Sequence, residues 1–76
     1  MRAKERWFKA ERAKQMAKVE EIVEKAGKPV SIDYVAYHLG VSWHTARALL
    51  LELATQGRLK AIETTKGYVF VPGEKA

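Results

Sequence analysis

The chain contains no cysteine. Disulfides, thiolate chemistry and cysteine-type zinc sites are removed together. That absence is compatible with the cytoplasm, where we expect the protein to reside. Asparagine is missing too, and Glu, Lys and Arg are abundant, a balance met in thermophilic proteins. Only five glycines and two prolines occur. Gly40, Gly57 and Gly67 stand isolated at expected turns, so no glycine-rich phosphate loop is present. Long apolar runs are lacking as well. Ala48 to Leu51 and Tyr68 to Val71 fall far short of the ~20 residues that cross a bilayer. The N-terminal residues carry mixed charge and no apolar stretch of the kind a secretory signal needs. Histidine occurs twice, as His38 and His44, with no carboxylate or nucleophile placed beside either by pattern. A metal site needs three or four converging ligands. We therefore expect no enzymatic activity, no catalytic residue, no metal site and no cofactor.

What the chain does contain is 47% hydrophobic and 30% charged residues over 76 positions, the balance of a globular protein. That length predicts one small domain over 1–76, burying about 60% of its unfolded surface. The net charge is +5, and the isoelectric point is near 9.7. The excess is unevenly spread. Residues 1–18 hold seven cations (Arg2, Lys4, Arg6, Lys9, Arg12, Lys14 and Lys18) against Glu5 and Glu11, whereas residues 19–76 balance to zero. A basic footprint on one segment is the usual mark of a polyanionic partner.

The central stretch runs from Ser31 to Gly57. Ser42 is a suitable N-cap, Trp43 to Gln56 contains neither glycine nor proline, and Gly57 suits the position after the helix. At about 100° per residue, Ala46, Leu49, Leu50 and Leu53 share one side and are expected to be buried. His44, Arg47, Ala48, Leu51 and Thr55 fall on the other, with Trp43 and Ala54 at the edge of the buried side. A shorter helix precedes it, capped by Ser31 or Asp33 and ending at Leu39–Gly40. Its apolar stripe is Tyr34 or Val35, Ala36 and Leu39. Gly40 permits the left-handed backbone of a tight turn, and Val41 can plug the space between the helices. Two helices joined by a short glycine-containing turn make a helix-turn-helix.

Residues 2–26 are rich in Ala, Glu, Lys and Arg and free of helix breakers, which predicts one helix of roughly 37 Å. Met16, Val19, Ile22, Val23 and Ala26 lie on one face and should dock on the helix-turn-helix. Residues 1–18 read as a basic arm and 19–72 as the core. Ala3, Ala10 and Ala17 recur every seven residues near Trp7. Two helices can approach closely along such a stripe, which makes a homodimer the alternative to plain helix-forming alanines. A membrane-surface role is disfavoured, because Arg12 and Glu5 break the apolar face. Val30 to Ile32 is a very short β-prone segment, and a hairpin is expected from Arg58 to Thr64, a turn at Thr65-Lys66-Gly67, and Tyr68 to Val71. Pro72-Gly73 should stop the last strand.

The run from Ala36 to Gly57, A-x-x-L-G-V-S-x-x-T-A-R-x-L-L-x-E-L-x-x-x-G, resembles the DNA-reading segment of winged helix-turn-helix repressors of the MarR and GntR types. The resemblance covers roughly residues 19 to 72. It implies an α+β, mostly α fold: three helices, a two- to three-stranded β-wing in which Val30 to Ile32 pairs with the later hairpin, and here an extended basic N-terminal helix. It also implies double-stranded DNA as partner, and a small transcription regulator or chromatin-type factor as the function. Helix 43–56 would enter the major groove. Ser42 and Thr45 would meet phosphates, His44 and Arg47 would reach bases, and Trp43 would stack on a base or sugar. Lys66 would act at the wing tip, and Arg58 and Lys60 at its base. Arg2, Lys4, Arg6, Lys9 and Arg12 would add phosphate contacts. A dimer would place two such helices about one turn of DNA apart.

Two positions depart from the repressor pattern. Positions 48 and 51 are often basic or polar in such helices, and here they are Ala48 and Leu51. Neutralised phosphates supply much of DNA affinity, so this helix needs the arm's charge, or its Trp43-Ala48-Leu51 surface is a protein interface. Two further readings stay open. A basic N-terminal segment before a winged helix is similar to one small-subunit ribosomal protein of archaea and eukaryotes, which implies RNA. Winged helices also serve as docking modules in transcription and replication machinery, which implies a protein partner.

Overall fold

A computed structural model describes the backbone of residues 2–73 and the side chains of residues 11–73. The elements in chain order are α1 (Arg2–Ala26), β1 (Val30–Ser31), α2 (Ile32–Leu39), α3 (Trp43–Thr55), β2 (Leu59–Thr64) and β3 (Gly67–Pro72). The architecture is α+β and mostly helical, with three helices and one three-stranded antiparallel sheet in the order β1-β3-β2.

Local chemistry explains the element boundaries. The Ser31 side chain accepts a hydrogen bond from the Tyr34 N–H at the start of α2. This decides between the two expected caps, and Asp33 lies inside the first turn. Gly40 ends α2 at φ 79°, a left-handed conformation that costs a side chain with a Cβ dearly. It lets the Val41 N–H reach back to the Ala36 carbonyl at 3.1 Å. Val41 then packs partly buried against the core. Ser42 caps α3 by accepting from the Thr45 N–H. At the far end Gly57 adopts φ 82°. The Arg58 N–H bonds to Leu53 O and the Gly57 N–H to Ala54 O, both at 3.0 Å, which is the pair of reversed bonds of a Schellman cap.

The core forms where these elements converge. Val19 and Val23 of α1, Val35 of α2, Ala46, Leu49, Leu50 and Leu53 of α3, Leu59 of β2 and Phe70 of β3 are all buried. The stripe expected on α3 is therefore the buried one. Leu51 differs from expectation: it is partly buried and rests against the core rather than standing free. The reason is that α1, α2 and β2 all contact α3, so the core wraps round more of the helix than one face.

Pairing of β1 with β3 joins Val30 to Phe70 and Ser31 to Val69, which ties the segment before α2 to the end of the chain. The hairpin is tighter than expected. Gly67 already pairs with Thr64, and Leu59 pairs with Pro72, so the turn is Thr65-Lys66 alone and Pro72 closes the strand from within. Thr64 holds this turn by donating to Gly67 O at 2.6 Å and accepting from the Lys66 N–H at 3.2 Å.

Gly73 is packed rather than merely a strand stop. Its N–H donates to Arg58 O at 2.9 Å. A Cβ at this position would lie 2.5 Å from Gly57 O and 2.8 Å from the Arg58 carbonyl carbon. Both are backbone atoms that cannot swing aside. We expect Gly73→Ala to cost about 1 kcal/mol through overpacking, read as a lowered urea midpoint. An unchanged midpoint would mean that this end of β3 does not sit against the 57–58 link.

Candidate nucleic-acid interface

Buried leucines turn the opposite side of α3 outward. Trp43, His44, Arg47 and Ala48 are exposed along its first two turns. Trp43 stands edge-on to His44, with ring centroids 5.2 Å apart. Ser42 Oγ accepts from the Thr45 N–H at 3.2 Å and donates to Thr45 Oγ1 at 3.0 Å. The Ser42 hydroxyl proton is thus spent within the cap, and the Thr45 hydroxyl proton is left to reach outward.

The cations fall into two groups. Arg12 is bound to Glu52 of α3, with Nη2 at 2.6 Å and Nε at 3.2 Å from the same carboxylate oxygen. Arg58 donates to Glu20 of α1 at 3.0 Å. Two of the expected phosphate ligands are therefore held by carboxylates, and these pairs stitch α1 to α3 and to the start of the hairpin. Both arginines are open to solvent, with Glu52 and Glu20 partly covered, so each pair adds about 1 kcal/mol or less to stability. Among the described residues Arg47, Lys60 and Lys66 make no ion pair, and all three are exposed. Arg2, Lys4, Arg6 and Lys9 lie outside the described side chains, as do Ala3, Trp7 and Ala10 of the expected dimer stripe. Ala17 of that stripe is exposed.

Folding brings together residues distant in sequence. Trp43 and Lys66 line one cleft of about 110 Å³, with Ser31 and Asp33 from the start of α2 and Tyr68 from β3. Neither Asp33 nor Tyr68 carries a motif that marks it as a site residue. A wider groove of about 390 Å³ opens between α1 and α2, floored by Ile22, Ala26 and Leu39 and flanked by Tyr34 and His38. The Tyr34 and His38 rings lie 4.2 Å apart between centroids, tilted by 39°. On its rim Lys25 donates to Glu21 at 2.8 Å. That hydrogen bond, with the pair's mutual attraction, holds the Glu21 carboxyl below its ordinary range and the Lys25 ammonium above its own.

Among the described residues no cluster of His, Cys, Asp and Glu is grouped so as to hold a metal ion. None of the described helices is long and apolar enough to cross a membrane. No protein-family model matches the chain, and no curated protein sequence matches it.

Proposed function

We propose that the chain is a winged-helix protein that binds double-stranded DNA, as a small transcription regulator or chromatin-type factor in the cytoplasm. It acts by binding and carries out no catalysis. In this reading α3 lies in the major groove, and the β2–β3 hairpin is the wing. The observation that carries it is the two-sidedness of α3. One side is the core, and the other presents Trp43, His44 and Arg47 from a serine-capped N-terminus. The arrangement of three helices with a hairpin joined by β1 is compatible with this fold. Arg47 would read a base, Thr45 would meet a phosphate, and Lys60 and Lys66 would follow the backbone. The arm would add charge from Arg2, Lys4, Arg6 and Lys9, or pair two copies along Ala3, Trp7, Ala10 and Ala17.

The test is an anisotropy titration of a labelled random-sequence duplex across a salt series. Binding with a steep salt slope supports the reading, and no binding at low salt ends it. The same series tests Arg12. Glu52→Gln removes the carboxylate that holds it, and one further phosphate contact would steepen the slope by about 0.9. The loss in stability should stay under about 1 kcal/mol, as for an exposed pair. An unchanged slope would place Arg12 away from the DNA.

A second reading draws on a different observation. Tyr37, Trp43, Ile62 and Tyr68 are large apolar groups left exposed, while Arg12 and Arg58 are neutralised in place. A protein-docking module would show this balance. Tight self-association or partner capture without nucleic-acid binding would favour it, and preference for structured RNA over duplex would favour RNA.

A further inference from the structure

The cleft beside the hairpin turn has a composition that a phosphate-following surface does not explain. Trp43 opens α3 and is 42% exposed, and Tyr68 of β3 is 44% exposed. Tyr68 stands two residues before the buried Phe70, on the same side of the sheet and 6.5 Å from it between ring centroids. It therefore continues the helix-facing side of β3 beyond the edge of the core. Trp43, Tyr68 and Ile32 offer apolar surface to the cleft, and Lys66, Asp33 and Ser31 give it one cation, one anion and a hydroxyl. Its volume of about 110 Å³ is the space of roughly four water molecules. That admits a single planar ring, and it is too little for a whole nucleoside.

The chemistry narrows the occupant. Exposed aromatic faces suit a flat π system, and stacking on them is tolerant of base identity. Lys66 suits a phosphate close by. The Asp33 carboxylate is acceptor-only when ionised, so it repels phosphate and calls for an N–H on the ligand. A nucleobase with an exocyclic amine, joined to its phosphate, answers all three demands. Cytosine presents such an amine at the outer end of its pairing edge, whereas thymine's one N–H there is flanked by two carbonyl oxygens that repel a carboxylate.

We propose that the Trp43–Tyr68–Asp33–Lys66 cleft takes one unpaired, amine-bearing nucleobase from a nucleic acid held against α3. This rests on the nucleic-acid reading above and adds a substrate class to it. The favoured ligand is a duplex interrupted by an extrahelical nucleotide rather than a continuous one.

The experiment compares three labelled duplexes by anisotropy, with the full chain: continuous, with one bulged cytosine, and with one bulged thymine. Trp7→Phe leaves Trp43 as the sole indole, so its fluorescence reports stacking directly. Expected are about tenfold tighter binding of the cytosine bulge than of the continuous duplex, within the range of one stacked base, and quenching of Trp43. The thymine bulge should gain less. Tyr68→Leu should bring the cytosine-bulge and continuous affinities together, and Asp33→Asn should remove the advantage of cytosine over thymine. Equal affinity for bulged and continuous duplexes, with Trp43 unquenched, overturns the cleft and leaves duplex binding standing. A bulge preference that survives Tyr68→Leu also overturns it, since DNA flexibility would then be its source. No binding of any duplex overturns both the cleft and the DNA reading.

Discussion

Phe70→Ala is expected to destabilise the protein by about 3–5 kcal/mol. Phe70 is fully buried and sits on the central strand. Its neighbours across the sheet are Val30 on β1 and Ala61 on β2, both smaller and held in register by backbone pairing. They cannot close over the space a phenyl ring leaves, so the cavity term adds to the lost transfer energy. At roughly 0.05–0.15 kcal/mol per residue, a chain of this length has little in reserve. The variant should be largely unfolded well below the melting temperature of the parent chain. Far-ultraviolet circular dichroism against temperature and urea reads the loss. Ile62→Ala supplies the contrast. Ile62 pairs with Val69 one position along, and it is 38% exposed on the other side of the sheet. We expect it to cost under about 1.5 kcal/mol, since much of the side chain already meets water. Equal losses in the two variants would contradict the assignment of sheet faces.

The second large effect is functional. Arg47→Ala should weaken binding to a selected duplex by about 1–3 kcal/mol, and should relax the base preference at one position. Arg47 is exposed on the second turn of α3, and among the described residues no carboxylate pairs with it. Removing it should leave stability within about 0.5 kcal/mol, as for surface positions generally. A loss of affinity can then be assigned to the interface. Lys66→Ala should behave differently. It should weaken selected and random duplexes alike and reduce the salt slope by about 1, as a phosphate contact does. Should Arg47→Ala weaken both duplexes to the same degree, Arg47 meets a phosphate and reads no base.

These two variants draw on different kinds of information in the chain. The burial of Leu49, Leu50 and Leu53 follows from helical periodicity. The limits of α2 and α3 follow from Ser31, Ser42, Gly40 and Gly57, each through a hydrogen bond or backbone angle within a few residues. The hairpin follows from the change of period after Gly57. All these signals are local, and local propensities act before any tertiary contact forms. That is why the three helices and the hairpin were legible in residues alone, whereas the long-range pairing of Val30 with Phe70 was expected only from the winged helix-turn-helix resemblance.

Surface roles were not. Arg12 and Arg58 read as cations open to phosphate, and folding sets them against Glu52 and Glu20, partners 40 and 38 positions away. Nothing in the spacing of exposed charges encodes such pairs, because a solvated side chain puts little constraint on its neighbours. Leu51 looked exposed on a single-helix wheel, and three contacting elements around α3 half-buried it. Gly73 looked like a strand stop, and the register of β2 with β3 brought it against Gly57 and Arg58. Asp33 and Tyr68 carry no motif, and they meet Trp43 and Lys66 only because the β1 pairing sets the start of α2 beside the hairpin turn. The sequence by itself determined the elements and the apolar faces that bury, since both arise from short-range backbone chemistry and the hydrophobic effect. Tertiary structure decided which charges are spent and which exposed side chains share a cleft. Those outcomes depend on how whole elements dock, and the docking is governed by the buried faces rather than by the side chains it brings together outside.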